Sequence, residues 1–203
     1  MKIICIGRNY SEHAKEMNSP VPEEPVIFMK PDTALLKENA PFFYPSFTKD
    51  LHHEIEVVLK ICKVGKHIEP QFASRYYNEV GLGIDFTARD VQADCKKKGL
   101  PWEKAKAFDC SAPIGDFIPI DSLNDINAID FHLDVNSTTV QKGNTRDLIF
   151  TFDALVSYIS TFVTLRMGDL IYTGTPAGVG PVKIGDRLEG YMEGRKHFDF
   201  LIK

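Results

Sequence analysis

The sequence predicts an α+β protein that is mostly β, with a mixed or mostly antiparallel sheet and a few short helices. Short segments of alternating polarity recur along the chain. Only one stretch, Phe152 to Val163, carries a strong amphipathic helical pattern. Strands and helices do not alternate regularly, as a doubly wound parallel sheet requires. The length of 203 residues fits one domain, 1–203, whose first 35 or so residues read as a strand, a small helix and a link. With 14 Phe, 7 Tyr and 1 Trp, the chain is too rich in large rings for long disorder.

In order, Ile3–Ile6 reads as a strand and Gly7–Tyr10 as a turn, with Asn9 and Ser11 as candidate caps for a helix over 11–17. That helix is polar on most sides, with Ala14 and Met17 its apolar residues, so it is weakly anchored and suited to a lid. Pro20, Pro22 and Pro25 enforce an irregular link. Ile27–Met29 is a short strand and 37–50 a Pro- and Phe-rich loop. His53–Ile61 is a strand with Ile55, Val57 and Leu59 on one face and Glu54, Glu56 and Val58 on the other. Pro70–Asn78 looks helical, and Val80–Phe86 is a buried strand. Thr87–Asp90 has capping-box character and opens a helix that stops at Gly99. Ile129–Val135 alternates strictly and turns through Asn136-Ser137 into Thr138–Gln141. The amphipathic helix closes at Gly168, and Leu170–Thr173, Arg187–Met192 and Lys196–Ile202 are the last strands.

A formal charge of −4 argues against nucleic acid or an anionic membrane as the main partner. The stretch Leu148–Leu165 is too polar to cross a bilayer. Cys5, Cys62, Cys95 and Cys110 show no C-x-x-C spacing, so they read as reduced thiols of a cytoplasmic protein. G-x-S-x-G, H-E-x-x-H and G-x-G-x-x-G are absent.

Four constellations remain, each with a plain alternative. Glu54 and Glu56 leave one strand face about 7 Å apart, as either a solvated acidic edge or a cation site. Asp85 ends an apolar strand, as either a helix cap or a third carboxylate. An all-oxygen set of Glu54, Glu56 and Asp85 suits Mg²⁺ or Mn²⁺ and leaves coordination positions open. His13 and Glu16 share a helix face at i, i+3, as either two solvated residues or a water-activating pair. Thr173–Gly180 is either a tight turn or a loop whose N–H groups meet an anion. Lys96-Lys97-Lys98 reads as a solvated helix end, and Phe28, Trp102 and Phe108 are candidates to bound a pocket.

Taken in order, these segments resemble the fumarylacetoacetate hydrolase (FAH) superfamily. The match runs through Gly7-Arg8-Asn9-Tyr10-x-x-His13-x-x-Glu16, Lys30-Pro31, His52-His53-Glu54-Ile55-Glu56 and Asp85–Gln92. It continues through Lys98–Trp102, leading to Lys106, and ends at Thr173-Gly174-Thr175-Pro176-x-Gly178-Val179-Gly180-Pro181. The pattern is similar to the compact acylpyruvase and oxaloacetate decarboxylase type. The extra N-terminal domain of the larger hydrolases and the tandem repeat of some isomerases are absent, which favours small substrates.

The resemblance implies a mixed β-roll or β-sandwich of the FAH C-terminal-domain type and a homodimer. It places Mg²⁺ or Mn²⁺ on Glu54, Glu56 and Asp85, and catalysis on His13, Glu16 and Lys106. Arg8, Arg89, Gln92 and Thr175 are implied as contacts to a small 2-oxo acid. The implied reaction is cleavage of a C–C bond, by acylpyruvate hydrolysis or oxaloacetate decarboxylation through a pyruvate enolate. The alternatives are the family's isomerases and tautomerases, acting on 5-carboxymethyl-2-hydroxymuconate, 2-hydroxyhepta-2,4-diene-1,7-dioate or oxaloacetate, and a non-catalytic binder of metal and oxo acid.

Overall fold

The computed structural model describes residues 1–16 and 20–203. The first third holds β1 (Ile3–Gly7), α1 (Ser11–Glu16), β2 (Val26–Lys30), β3 (Leu35–Leu36), β4 (Leu51–His53) and β5 (Ile55–Ile61). Next come β6 (Tyr77–Ile84), β7 (Thr87–Ala88), α2 (Arg89–Lys98), α3 (Glu103–Lys106), β8 (Ala112–Pro113) and β9 (Ile118–Pro119). The rest is β10 (Asp130–Val135), β11 (Thr138–Asn144), α4 (Phe152–Phe162), β12 (Leu170–Tyr172), β13 (Gly180–Pro181), β14 (Arg187–Met192) and β15 (Arg195–Leu201). Among the described residues no helix is long and apolar enough to span a membrane.

A six-stranded sheet runs β2-β1-β12-β5-β6-β9 and a four-stranded sheet β11-β10-β14-β15. Only the β1–β12 pair of the first sheet is parallel, so the sheet is mixed and mostly antiparallel, as expected. The main core lies between these sheets and α4. Ile4, Val57, Leu82 and Ile171 from the first sheet meet Phe131, Leu133, Leu188 and Phe198 from the second. The outer face of the first sheet buries a second cluster, Ile3, Cys5, Val58, Leu170 and Tyr172, under β3 and β8. Strand β5 is therefore apolar on both faces, and Glu56, on the Val58 face, is not at a solvated edge.

Several elements depart from expectation. The strand expected over His53–Ile61 is broken at Glu54. β4 pairs with β13 and β7 in a small third sheet, whereas β5 joins the six-stranded one. Glu54 thus sits where the chain changes sheets. The segment 70–76 is a 3-10 helix that leads directly into β6, since so short a piece gains little from α-helical nucleation. Thr87 does not cap α2. It lies in β7 and its hydroxyl donates to Glu54 Oε1 at 2.9 Å.

Asn9 does not cap α1 either. Its amide donates to the carbonyls of Phe150 (3.0 Å) and Thr173 (2.8 Å) and accepts from Phe150 N (2.7 Å). Helix α4 ends at Phe162, short of Gly168, because Leu165 forms a bridge with Gly65. The expected apolar positions Ala14 (its side chain) and Met17, and the helix end at 17, lie outside what is described. The hairpin turn at Asn136-Ser137 is as predicted, with both residues at positive φ.

Register fixes the site. Ile55 pairs with Ile84 and Glu56 with Gly83, and Asp85 N donates to the Glu54 carbonyl at 2.8 Å. Gly83 is required by space: a Cβ there would lie 2.8 Å from the Pro113 carbonyl and from Tyr172. Gly83→Ala is expected to cost about 1–3 kcal/mol through overpacking. Urea denaturation should show this as a lowered midpoint with an unchanged slope. An unchanged midpoint would mean that the Pro113 strand yields freely.

Candidate active site

Glu54, Glu56 and Asp85 each offer an oxygen, and these atoms lie within 4.8 Å of one another. All three residues are buried. A burial of three carboxylates demands counter-charge. Lys106, at the end of α3, supplies part of it: its Nζ donates to Glu54 Oε2 (2.8 Å) and Asp85 Oδ2 (2.7 Å). Arg89 Nη2 donates to Glu54 Oε1 at 2.6 Å, and its Nη1 donates to Gln92 Oε1 at 2.9 Å.

Lys30, at the end of β2, is a site residue that the residue-by-residue reading missed. It is buried, and its Nζ stands 2.8 Å from Asp85 Oδ1. The carbonyls of Phe86, Lys106 and Ser111 and the Ser111 hydroxyl compete for its three protons. Asp85 Oδ1 therefore has a coulombic neighbour but no hydrogen-bond donor. In the sequence it figures as a lysine closing an apolar strand and as part of the Lys30-Pro31 segment of the resemblance, without a role of its own.

These cations are unevenly shared. Glu54 faces Lys106 and Arg89, and Asp85 faces Lys106 and Lys30. Among the described residues no side-chain cation pairs with Glu56, whose Oε2 accepts from Gly174 N at 2.7 Å. Burial, then the charges of Asp85 and Glu54, push the Glu56 carboxyl well above the usual range. Burial also raises Glu54, but Lys106, Arg89 and His13 outweigh it and carry that carboxyl far below its ordinary value. For Lys106, burial is outweighed by Asp85 and Glu54, and the ammonium is held more firmly than usual. A hard, all-oxygen set with one uncompensated carboxylate and one undonated oxygen fits a divalent cation such as Mg²⁺ or Mn²⁺.

The His13–Glu16 pair is assembled. His13 is buried, and its Nδ1 lies 3.1 Å from Glu16 Oε2. A carboxylate can only accept, so Nδ1 carries a proton, and in the neutral ring Nε2 is the nitrogen with the lone pair. The exposed Glu16 is held in turn by Gly178 N, at 3.0 Å to Oε1. Among the described residues, the helix is anchored by its carboxylate and its buried histidine.

One cavity of about 40 Å³ gathers Arg8, His13, Glu54, Glu56, Asp85 and Arg89 with Gln92, Lys106 and Thr175. Of the residues singled out for chemistry, Glu16 alone does not line it, and it acts at one remove through His13. Arg8 adopts a left-handed backbone, with φ of 61°, a strained conformation of the kind found at functional sites. Lys96 lines the cavity too, so it is not merely part of a solvated helix end. Phe28 and Trp102 form a wall, with rings edge to face at 6.0 Å, whereas Phe108 packs against Phe47 away from it.

Comparison with known proteins agrees with this geometry. The profile of the family described as fumarylacetoacetate (FAA) hydrolase C-terminal matches residues 2–198. The chain belongs to this family. It is 44% identical to the Mus musculus protein named oxaloacetate tautomerase FAHD1, mitochondrial, over 99% of this chain and 91% of that one. It is 41% identical to the Dictyostelium discoideum protein named oxaloacetate decarboxylase, mitochondrial, over 100% and 94%. A crystal structure of fumarylpyruvate hydrolase from Pseudomonas aeruginosa, in complex with Mn²⁺ and pyruvate, superposes with a TM-score of 0.94. The identity there is 37%, over 100% of this chain and 89% of that one. Membership of this enzyme family accounts for the fold, and the metal-bound relative accords with the donor set of Glu54, Glu56 and Asp85.

If Lys106 offsets the buried carboxylates, Lys106→Met should destabilise the chelator-treated protein by about 3–5 kcal/mol, since it leaves buried charge unpaired. Mg²⁺ at about 100 times its dissociation constant should return ~2.7 kcal/mol of this. Chemical denaturation with and without Mg²⁺ measures both. Equal stability of variant and parent in chelator would remove Lys106 from that role.

Proposed function

We propose that this protein cleaves a C–C bond in small 2-oxo acids, by acylpyruvate hydrolysis, oxaloacetate decarboxylation or both. The observation that carries this reading is the convergence of the carboxylate cluster, Lys106, His13 and Thr175 on one cavity. Glu54, Glu56 and Asp85 would hold Mg²⁺ or Mn²⁺, which would supply Lewis acidity toward the bound 2-oxo acid.

The chain's own groups do the rest. Thr175 receives the carboxylate of the acid, with Arg8, Arg89 and Gln92 around it. Lys106 places a fixed positive charge beside the oxygen on which negative charge grows as the enolate forms. With its Nδ1 proton held by Glu16, His13 has Nε2 free as a base. For an acylpyruvate, His13 Nε2 takes a proton from water and the oxygen adds to the distal carbonyl. The C3–C4 bond then breaks with its electron pair going to C3, which gives a carboxylic acid and pyruvate enolate. For oxaloacetate the same bond breaks with loss of CO₂, and no water need add. In both cases a proton returned to C3 gives pyruvate. The cavity has room for only a few waters, so the acid enters as the lid helix α1 lifts.

A second reading is tautomerisation, in which the base moves a proton between C3 and the 2-oxo oxygen: the C3–H bond breaks as the O–H bond forms, and no C–C bond breaks. The name of the Mus musculus relative favours it.

A proton NMR time course in D₂O with Mg²⁺ separates these readings. Acetylpyruvate and oxaloacetate are followed separately, each against metal alone. Acetate plus pyruvate supports hydrolysis, and pyruvate from oxaloacetate supports decarboxylation. Deuterium exchange or faster enol–keto conversion without cleavage replaces the first reading with the second. His13→Ala should slow acetylpyruvate hydrolysis by about 10²–10⁴-fold, slow decarboxylation less, and leave oxalate binding intact. Unchanged hydrolysis would exclude His13 as the base.

A further inference from the structure

The direction of the Thr175 hydroxyl is set from outside the cavity. Gln141, on β11 of the four-stranded sheet, is buried and reaches across to the loop that carries Thr175. Its amide makes four hydrogen bonds. Oε1 accepts from Ile55 N at 3.0 Å and lies 2.8 Å from His53 Nδ1. Nε2 donates to the Pro176 carbonyl at 2.9 Å and to Thr175 Oγ1 at 2.9 Å.

The amide cannot be turned over. A backbone N–H such as that of Ile55 can only donate, and a carbonyl such as that of Pro176 can only accept. Two groups of fixed polarity therefore settle which end of Gln141 is which. It follows that His53 Nδ1 carries a proton. It also follows that Thr175 Oγ1 accepts from Gln141, so its own proton must point elsewhere. Among the described residues that proton meets no acceptor, and Thr175 lines the cavity.

We infer that Gln141 is a positioning residue: it obliges Thr175 to present a proton, and not a lone pair, to the carboxylate of the bound acid. The inference rests on the reading of the cavity as a 2-oxo acid site. With the amide reversed, Thr175 would spend its proton on Gln141 and turn lone pairs toward an anion.

Isothermal titration with oxalate, in the presence of Mg²⁺, tests this with four variants. Gln141→Glu keeps the side-chain shape but only accepts at neutral pH, so it captures the Thr175 proton. Its oxalate dissociation constant should rise ~10–100-fold, the scale of one hydrogen bond to a charged group. Gln141→Met loses all four hydrogen bonds yet frees the hydroxyl to rotate, so its loss should be smaller, a few-fold. Mere structural support predicts the opposite order. Thr175→Val should weaken oxalate about as much as Gln141→Glu, and the double variant Gln141→Glu, Thr175→Val no further.

The inference is overturned if Gln141→Glu binds oxalate as the parent does, or if Gln141→Met is the weaker binder. It is also overturned if the loss persists in full in the Thr175→Val background, where the new charge would be acting on the acid directly. Failure of the parent protein to bind oxalate with Mg²⁺ overturns the 2-oxo acid reading itself, and this inference with it.

Discussion

Three carboxylates buried against one another are the constraint on which the rest of the site depends. Uncompensated, such a cluster would not stay ionised. The chain brings Lys30, Arg89 and Lys106 to it from three elements, and all three settle on Glu54 and Asp85. The formal charges of the six groups cancel, yet their distribution does not. Glu56 is left with a backbone N–H alone. A fully satisfied ionic cluster would be inert scaffolding. This one is compensated on one side and open on the other, which is the polarity a cation site needs.

The loop from Thr173 to Gly180 links the parts. The Thr173 carbonyl holds Asn9 at the root of the lid, and Gly174 N holds Glu56. Thr175 Oγ1 accepts a hydrogen bond from Gln141 Nε2, and Gly178 N holds Glu16. Gly174, at φ of 106°, would bring a Cβ to 2.6 Å from the Asn9 Cβ, so only glycine allows this approach. Within six residues the segment therefore touches Asn9, the carboxylate cluster, Gln141 and Glu16. The segment is more than a bare turn, because its N–H groups do meet anions. Two of its free N–H groups meet protein carboxylates.

Much of the site was legible because strands have a period of two. Glu54 and Glu56 share a face with Val58, and an apolar residue on that face already argued against open solvent. The i, i+3 spacing of His13 and Glu16 was likewise enough to pair them. The break at Glu54 was not legible, because one continuous alternation can be divided between two sheets, and only tertiary pairing decides where. Lys30 and Gln141 escaped for a related reason. Each lies on a strand, Lys30 alone among apolar residues and Gln141 among other polar ones, and its partners are far away in sequence: Asp85, Ser111 and Lys106 for one, His53, Ile55 and Thr175 for the other. Thr87 and Asn9 misled because short polar side chains cap helices when nothing better is offered. Here a buried carboxylate and three backbone groups were offered instead.

The division of labour across the structure bears on why one scaffold suits several reactions of 2-oxo acids. In the proposed chemistry the electron sink belongs to the sheet. Its groups sit at the paired ends of β5 and β6 and on α3, where register and burial fix them. The base belongs to a six-residue helix held by Gly178 and by the burial of one histidine. Enolate stabilisation needs the fixed part alone, and every reaction considered draws on it. What differs is whether a water is beside His13 when the lid is down, and which bond at C3 is weakest in the acid that is bound. A change in the lid or in the wall of Phe28 and Trp102 can thus redirect the outcome while the carboxylate cluster stays as it is. In this reading, selection among these reactions acts on the helix that carries His13 and on the aromatic wall, and the cluster that costs most to build is common to all of them.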